Sequence, residues 1–240
     1  MEPGEIIQHS RDSDSTLVIM AKAPRAGMVK TRLAQTLAAE AVTELYRCLL
    51  NDTLALARSL RGINVAIMCP ASDVEELAAI AGGTRVVPQQ GNGLAAGLTT
   101  VFAQFTVQGR RVIAFNSDSP HLPPAVLMSG FEKLIQHDLV VGPTHDGGYY
   151  LVGAKAPHDA LFRIDGMGTN SALDTLLVRA RSLQLSLSFT DPFYDVDVEG
   201  DLARLATELH LSPARAPQTA AWLQRWQQVA SQLREAARDL

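Results

Sequence analysis

The chain is poor in the residues that would commit it to disulfide, metal–thiolate or membrane chemistry. Among 240 residues there are two cysteines, Cys48 and Cys69. Cys48 falls in a helical pattern and Cys69 ends a strand-like run, so neither matches a metal or redox spacing, and both read as buried thiols. No apolar run reaches the roughly 18 residues that a membrane-spanning helix needs. The first residues, Met1 to Ser15, are polar and lack the apolar core of a secretory leader, so residues 1–15 read as a disordered tail on a cytoplasmic protein. Charge of one sign is also lacking. The net charge of −4 gives no global attraction to nucleic acid. What the chain has in quantity is apolar residues, 47% against 19% charged, enough for a sizeable core.

Short apolar runs alternate with helical patterns. Thr16–Met20, Ile63–Met68, Arg85–Pro88, Arg111–Phe115, Asp138–Val141, Tyr149–Val152 and Leu185–Phe189 read as strands. Between them, Val42, Leu45, Leu49, Leu56 and Leu60 mark the apolar stripe of a long helix. Further helices are expected at Asp73–Ala81 (capped by Ser72), Leu94–Phe105, after Pro123-Pro124, at Ser171–Leu183 and at Val198–Leu209. Pro213 and Pro217 mark a linker before a last amphipathic helix, Ala220–Leu240, which carries Trp222 and Trp226 at i, i+4. The alternation argues an α/β fold with a mainly parallel sheet, and the close spacing of Val141 and Tyr149 allows one antiparallel strand. Residues 16–210 are expected to form the main domain and 211–240 a C-terminal helical extension. The tryptophan stripe reads as packing, with a homodimer contact as the other use.

Three acidic residues sit directly after such runs: Asp118 in Asn116-Ser117-Asp118-Ser119-Pro120, and Asp195 and Asp197 in Phe193-Tyr194-Asp195-Val196-Asp197. If the runs are neighbouring strands, the carboxylates meet at the carboxyl edge of the sheet, where open α/β sheets bind ligands. Carboxylates so gathered repel one another unless a cation joins them, and hard oxygen ligands suit Mg²⁺ or Mn²⁺. The bland alternative for each is a helix-capping acid; Asp201 reads that way. The segment Lys22-Ala23-Pro24-Arg25-Ala26-Gly27-Met28-Val29-Lys30-Thr31-Arg32 brings four cations to a loop after the first strand. It lacks the Walker A spacing, yet Gly27 allows backbone amides to approach a ligand, and Lys22, Lys30 and Arg32 suit phosphates. In His145-Asp146-Gly147-Gly148-Tyr149-Tyr150 the glycines permit close approach of an acceptor, and an ordinary hairpin turn fits equally well. Gln89-Gln90-Gly91-Asn92-Gly93 could hydrogen-bond a nucleobase. His121 and His145 read as structural or solvated.

These segments resemble the nucleotide-diphospho-sugar transferases of the GT-A type. Lys22 to Leu33, Asp118 to Pro123, Gly142 to Gly153 and Asp195 to Leu202 together are similar to the glycosyltransferases named for arsenosugar biosynthesis, and less closely to the phospholactate guanylyltransferases. The resemblance covers about residues 16–210. It implies a three-layer α/β/α, Rossmann-like fold with a mostly parallel sheet, nucleotide phosphates on Lys22, Gly27, Lys30 and Arg32 with Gln90 beside them, a divalent metal on Asp118, Asp195 and Asp197, and catalytic work for Asp118 and Lys30. Asp146, Gly147, Gly148, Tyr149 and Thr169 are implied as the acceptor loop. The chain departs from the pattern at Ala95-Ala96, where G-E-R is expected, at Met167-Gly168-Thr169 for W-S-T, and at Val198 for threonine.

The expected activity is a metal-dependent transferase using an activated nucleotide, with Mg²⁺ or Mn²⁺ as cofactor. A nucleotide-sugar-dependent glycosyltransferase leads; a nucleotidyltransferase taking an NTP and a small phosphorylated or carboxylated acceptor follows; a degenerate nucleotide-binding protein is third. Neither nucleic acid nor a membrane span is expected.

Overall fold

The computed structural model describes residues 14–162 and 171–236. The expectations for the N-terminal tail before Asp14 and for Met167-Gly168-Thr169 lie outside the described residues. Seven strands form one sheet in the order β3-β2-β1-β4-β6-β5-β7. They are β1 (Ser15–Met20), β2 (Asn64–Cys69), β3 (Arg85–Pro88), β4 (Arg111–Asn116), β5 (Leu139–Pro143), β6 (Tyr149–Ala154) and β7 (Leu187–Phe189). Eight helices intervene among the described residues: α1 (Ala39–Ser59), α2 (Val74–Ile80), α3 (Gly93–Phe105), α4 (Pro124–Gln136), α5 (Asp159–Phe162), α6 (Ala172–Ser182), α7 (Glu199–Leu211) and α8 (Pro217–Ala236).

The central strands are apolar on both faces, and their alternation decides the layers. Leu17 and Ile19 of β1, with Ile113 and Phe115 of β4, pack into one cluster with Leu50 and Leu54 of α1, Leu77 of α2 and Leu127 and Phe131 of α4. Val18, Val112 and Ala114 point the other way, to Leu98 and Phe102 of α3, Phe162 of α5 and Leu176 of α6. Successive side chains of a strand leave on opposite faces, so a continuous apolar run needs helices on both sides. The result is a three-layer α/β/α fold. A third cluster joins Leu45 and Leu49 of α1, Leu202 and Leu205 of α7, Trp222 and Leu223 of α8, and Tyr194 and Val196. The Trp222 and Trp226 rings stack with centroids 6.1 Å apart, the packing use of that stripe.

Several boundaries move for local reasons. Ser15 belongs to β1 rather than to the tail, and Asp14 accepts a bond from the Arg111 amide. Ser72 does not cap α2: its hydroxyl bonds the Asp73 carboxylate, and a short 3-10 turn, Ala71–Asp73, leads into the helix. The antiparallel strand is β6, which pairs antiparallel with both β4 and β5. The linker holds a 3-10 turn, Pro213–Arg215, and α8 starts at Pro217.

Candidate active site

Parallel pairing of β1 with β4 puts Met20 opposite Asn116, so the loop after each strand leaves the same edge, side by side. The order of the sheet turns there, since β1 connects outward to β2 while β4 borders the other half; that is where a doubly wound sheet opens a crevice. The antiparallel β6 starts at this edge, which brings the turn before it to the same side. A parallel bridge between Thr144 and Phe193 draws in the segment that carries Asp195 and Asp197.

The basic loop is fixed at its first end. The Ala23 amide donates to Asp73 Oδ2 at 2.9 Å, and Arg25 reaches Asp73 Oδ1 and Glu76 Oε2, each at 2.9 Å. Arg25 is thus spent on anchoring. Leu33, fully buried, fixes the other end. Between them Gly27 takes a left-handed backbone (φ +73°) with open space around its Cα, and Lys22, Gly27 and Arg32 are exposed. Lys30 is different. Its φ is +47°, unusual for a residue with a Cβ, and its side chain is only 4% exposed. Its ammonium lies 2.7 Å from Asp118 Oδ2 and 2.8 Å from Asp197 Oδ1.

Lys30 therefore draws together two acids that are distant in sequence, and Asp195 stands beside them. Tyr194 and Val196 are buried in the third cluster, so on the extended backbone their neighbours Asp195 and Asp197 turn outward. Asn116 Nδ2 donates to Asp195 Oδ1 at 2.7 Å, and Ser119 Oγ donates to the Tyr194 carbonyl at 3.0 Å. Burial, then the charge of Asp118, pushes the Asp195 carboxyl up to about 7. Burial works against Lys30 keeping its proton, but the two carboxylates outweigh it and hold the ammonium well above the usual lysine range. Asp197 is lowered, Lys30 overcoming its burial. Among the described residues no three Asp, Glu, His or Cys side chains form a ready cage for an ion; the Lys30 ammonium holds the place between Asp118 and Asp197. The donor set still suits a hard divalent cation. Its oxygens come from three carboxylates, and Asp195, buried and beside the charge of Asp118, has a raised affinity for a proton that Lys30 only partly offsets.

A hydrogen-bonded chain ties the basic loop to Asp118. The Lys22 amide donates to the Tyr46 hydroxyl (3.0 Å), Tyr46 meets Ser117 Oγ (3.0 Å), and Ser117 donates to Asp118 Oδ1 (3.2 Å). A carboxylate only accepts, so the chain runs in one direction from Lys22. Burial, with the charge of Asp118, pushes the Tyr46 phenol up to about 12, so it stays a donor.

Asp146 Oδ1 accepts from Thr144 Oγ1 (2.5 Å) and the Gly148 amide (3.2 Å), so it closes the turn with Gly147, whose φ is +89°. Its charge also acts on Asp195. Tyr149 is half-buried against the α3–α6 side, where the charge of Arg179 reaches it. Gln90 is exposed, and its amide bonds Thr100 Oγ1 at 2.9 Å. Asp201 accepts from the amides of Asp197 and Val198, each at 2.9 Å, as a cap of α7. Sequence reasoning gave no role to Asn116, Ser119 and Tyr46. The signals were a polar residue closing an apolar strand, a hydroxyl one residue past the acid, and a phenol set into the α1 stripe.

The sequence profile of a family described as an uncharacterized protein conserved in bacteria (DUF2064) matches residues 53–169. No curated protein matches the chain significantly. Among solved structures, the "putative nucleotide-diphospho-sugar transferase" of Desulfovibrio desulfuricans G20 superposes with a TM-score of 0.83 at 26% identity, over 92% of this chain and 98% of that one. The chain has the nucleotide-diphospho-sugar transferase fold. More distant structures share it. A cytidylyltransferase of Leptospira borgpetersenii superposes with a TM-score of 0.57 at 11% identity, over 91% and 96% of the two chains. The Rv0371c protein of Mycobacterium tuberculosis H37Rv, solved with manganese, gives 0.52 at 20%, over 79% and 96%. Structures of this fold thus include one described as a "putative nucleotide-diphospho-sugar transferase" and one described as a cytidylyltransferase. No helix among the described residues is long and apolar enough to cross a membrane.

Proposed function

We propose that the protein is a metal-dependent transferase that takes its group from a nucleotide-sugar. The observation that carries this is the meeting of Lys30 with Asp118 and Asp197 at the carboxyl edge of β1 and β4, with Asp195 alongside. Asp118, Asp195 and Asp197 would hold Mg²⁺ or Mn²⁺; bound there, the metal supplies Lewis-acid stabilisation of charge on a leaving phosphate. The exposed Lys22 and Arg32 meet the diphosphate at the mouth, and the open backbone at Gly27 lets amides approach it. Lys30 and Asp118 act where negative charge builds as the bond from sugar C1 to the leaving oxygen breaks. The loop around Gln90 borders the nucleotide, and the turn at Asp146, Gly147 and Gly148, with Tyr149 at its end, borders a small acceptor.

A second reading is supported by the number of charges. Three carboxylates with three loop cations suit a triphosphate, for which the attacked atom is the α-phosphorus and the leaving group is pyrophosphate. One panel separates the two: nucleoside diphosphate release from NDP-sugars, against pyrophosphate release from NTPs, each with small phosphorylated or carboxylated acceptors and Mn²⁺. Nucleotide binding without turnover across the panel would overturn both in favour of a binding protein.

A further inference from the structure

Lys30 combines features that a plain phosphate-binding lysine does not need. Its four-carbon stem is buried, its backbone is left-handed, and its ammonium sits between two carboxylate oxygens from different elements. A lysine waiting for phosphate would be expected at the mouth, as Lys22 and Arg32 are. Resting on the proposal that these acids bind a divalent cation, we propose that Lys30 is an internal substitute for that cation and that metal binding expels its ammonium toward the phosphates.

A magnesium ion sits about 2 Å from its oxygen ligands. An ion on Asp118 Oδ2 and Asp197 Oδ1 would then fall within the space that the ammonium fills, because both oxygens already lie within 2.8 Å of that nitrogen. Two cations do not share such a place in a poorly solvated cleft, so occupation by one excludes the other. Without its two partners the ammonium would be left buried and unpaired, a state too costly to persist. It must move outward, and the chain allows it. Residues 23–25 are pinned through Asp73 and Glu76, and Leu33 is buried, but the stretch from Ala26 to Met28 is exposed, with nothing within 4 Å of where a Gly27 side chain would start. A lysine stem can turn outward while Val29, buried beside it, stays in place.

The exchange makes the site order its own assembly. Before metal arrives, Lys30 neutralises the acids and keeps them together. After it arrives, the metal takes over that task, and a third loop cation joins Lys22 and Arg32. Metal and nucleotide then bind with positive coupling, since each favours the state with Lys30 turned out.

The chain has four lysines, Lys22, Lys30, Lys133 and Lys155, so each can be followed separately by reductive methylation and mass spectrometry. In the full-length protein without divalent ions, Lys30 should resist methylation while Lys22 reacts. Saturating Mg²⁺ should raise the Lys30 rate toward that of Lys22. In calorimetry, Lys30→Met should bind Mg²⁺ about tenfold more tightly than the parent, as expected when a paired competing cation is removed. If Mg²⁺ binds but Lys30 stays protected, the exchange is wrong and the metal site stands. If neither the parent nor Lys30→Met binds Mg²⁺ or Mn²⁺, the metal reading falls and the exchange with it. The labelling arm needs no variant, so a poorly folding Lys30→Met does not weaken the test.

Discussion

The Tyr46 hydroxyl meets Ser117 Oγ at 3.0 Å and receives the Lys22 amide at the same distance. One phenol on α1 thus sets the spacing between the basic loop and the strand end that carries Asp118. Tyr46→Phe keeps the ring, which is nearly fully buried, and strands the Lys22 amide. Losing the buried bond to Ser117 and leaving a part-buried donor costs about 0.5–1.5 kcal/mol. Urea unfolding should report that loss, and Mg²⁺-nucleotide affinity should fall with it. Unchanged affinity in a folded variant would show that the link does not position the site.

Asp118→Asn removes the carboxylate that touches Lys30 most closely while keeping its shape. Mg²⁺-dependent nucleotide binding should drop by about tenfold or more, some 1.4 kcal/mol or above, with the circular dichroism spectrum unchanged. Calorimetry of both proteins with and without EDTA checks this, and normal Mg²⁺-dependent binding by the variant would remove Asp118 from the metal site.

Asp52 is buried on α1 and accepts three bonds at the start of α8: the amides of Gln218 (3.2 Å) and Thr219 (2.8 Å) and the Thr219 hydroxyl (2.7 Å). Helix N-termini have unsatisfied N–H groups, and here another helix supplies the cap. Asp52→Ala should cost about 2 kcal/mol, at the upper end for caps because the site is buried. Fluorescence of Trp222 and Trp226 should move with the transition, and an unchanged urea midpoint would refute the capping role.

His121 is buried between Phe193 and Tyr194, each ring 4.8 Å away, and neither of its nitrogens has a hydrogen-bond partner among the described residues. Burial, then the charges of Arg215 and Arg204, lowers its pKa from 6.5 to about 3. Glu208 lies 3.8 Å away but is bound by Arg204 at 3.0 Å, so it does little to offset this. The unfolded chain takes up a proton below about 6.5 and the folded one only near 3. Stability from this residue is complete above 6.5 and is lost as pH falls from there toward 3. The urea midpoint should fall less between pH 7 and pH 4 in His121→Leu than in the parent; parallel profiles would contradict the assignment.

The strands could be read because each is a short apolar run in a chain of helical patterns. Boundaries slipped where a side chain had a distant partner. Ser72 looked like a cap, but the Asp73 beside it is claimed by Ala23 and Arg25, about fifty residues away. The Asp146 turn could be read as a hairpin from Asp-Gly alone; its electrostatic reach to Asp195 could not, because that depends on β6 lying between β4 and β5.

By itself the sequence determined the alternating α/β pattern, the three acids and the basic loop, since these follow from residue type and local period. Only the tertiary structure decided that Lys30 is buried between Asp118 and Asp197 while Lys22 and Arg32 face solvent. Nothing local distinguishes those cations. Strand pairing and the buried Tyr194 and Val196 bring a segment 167 residues away against Lys30 and, at 3.8 Å, against the exposed Arg32; their roles diverge because only Lys30 is buried there, which makes its ion pairs obligatory.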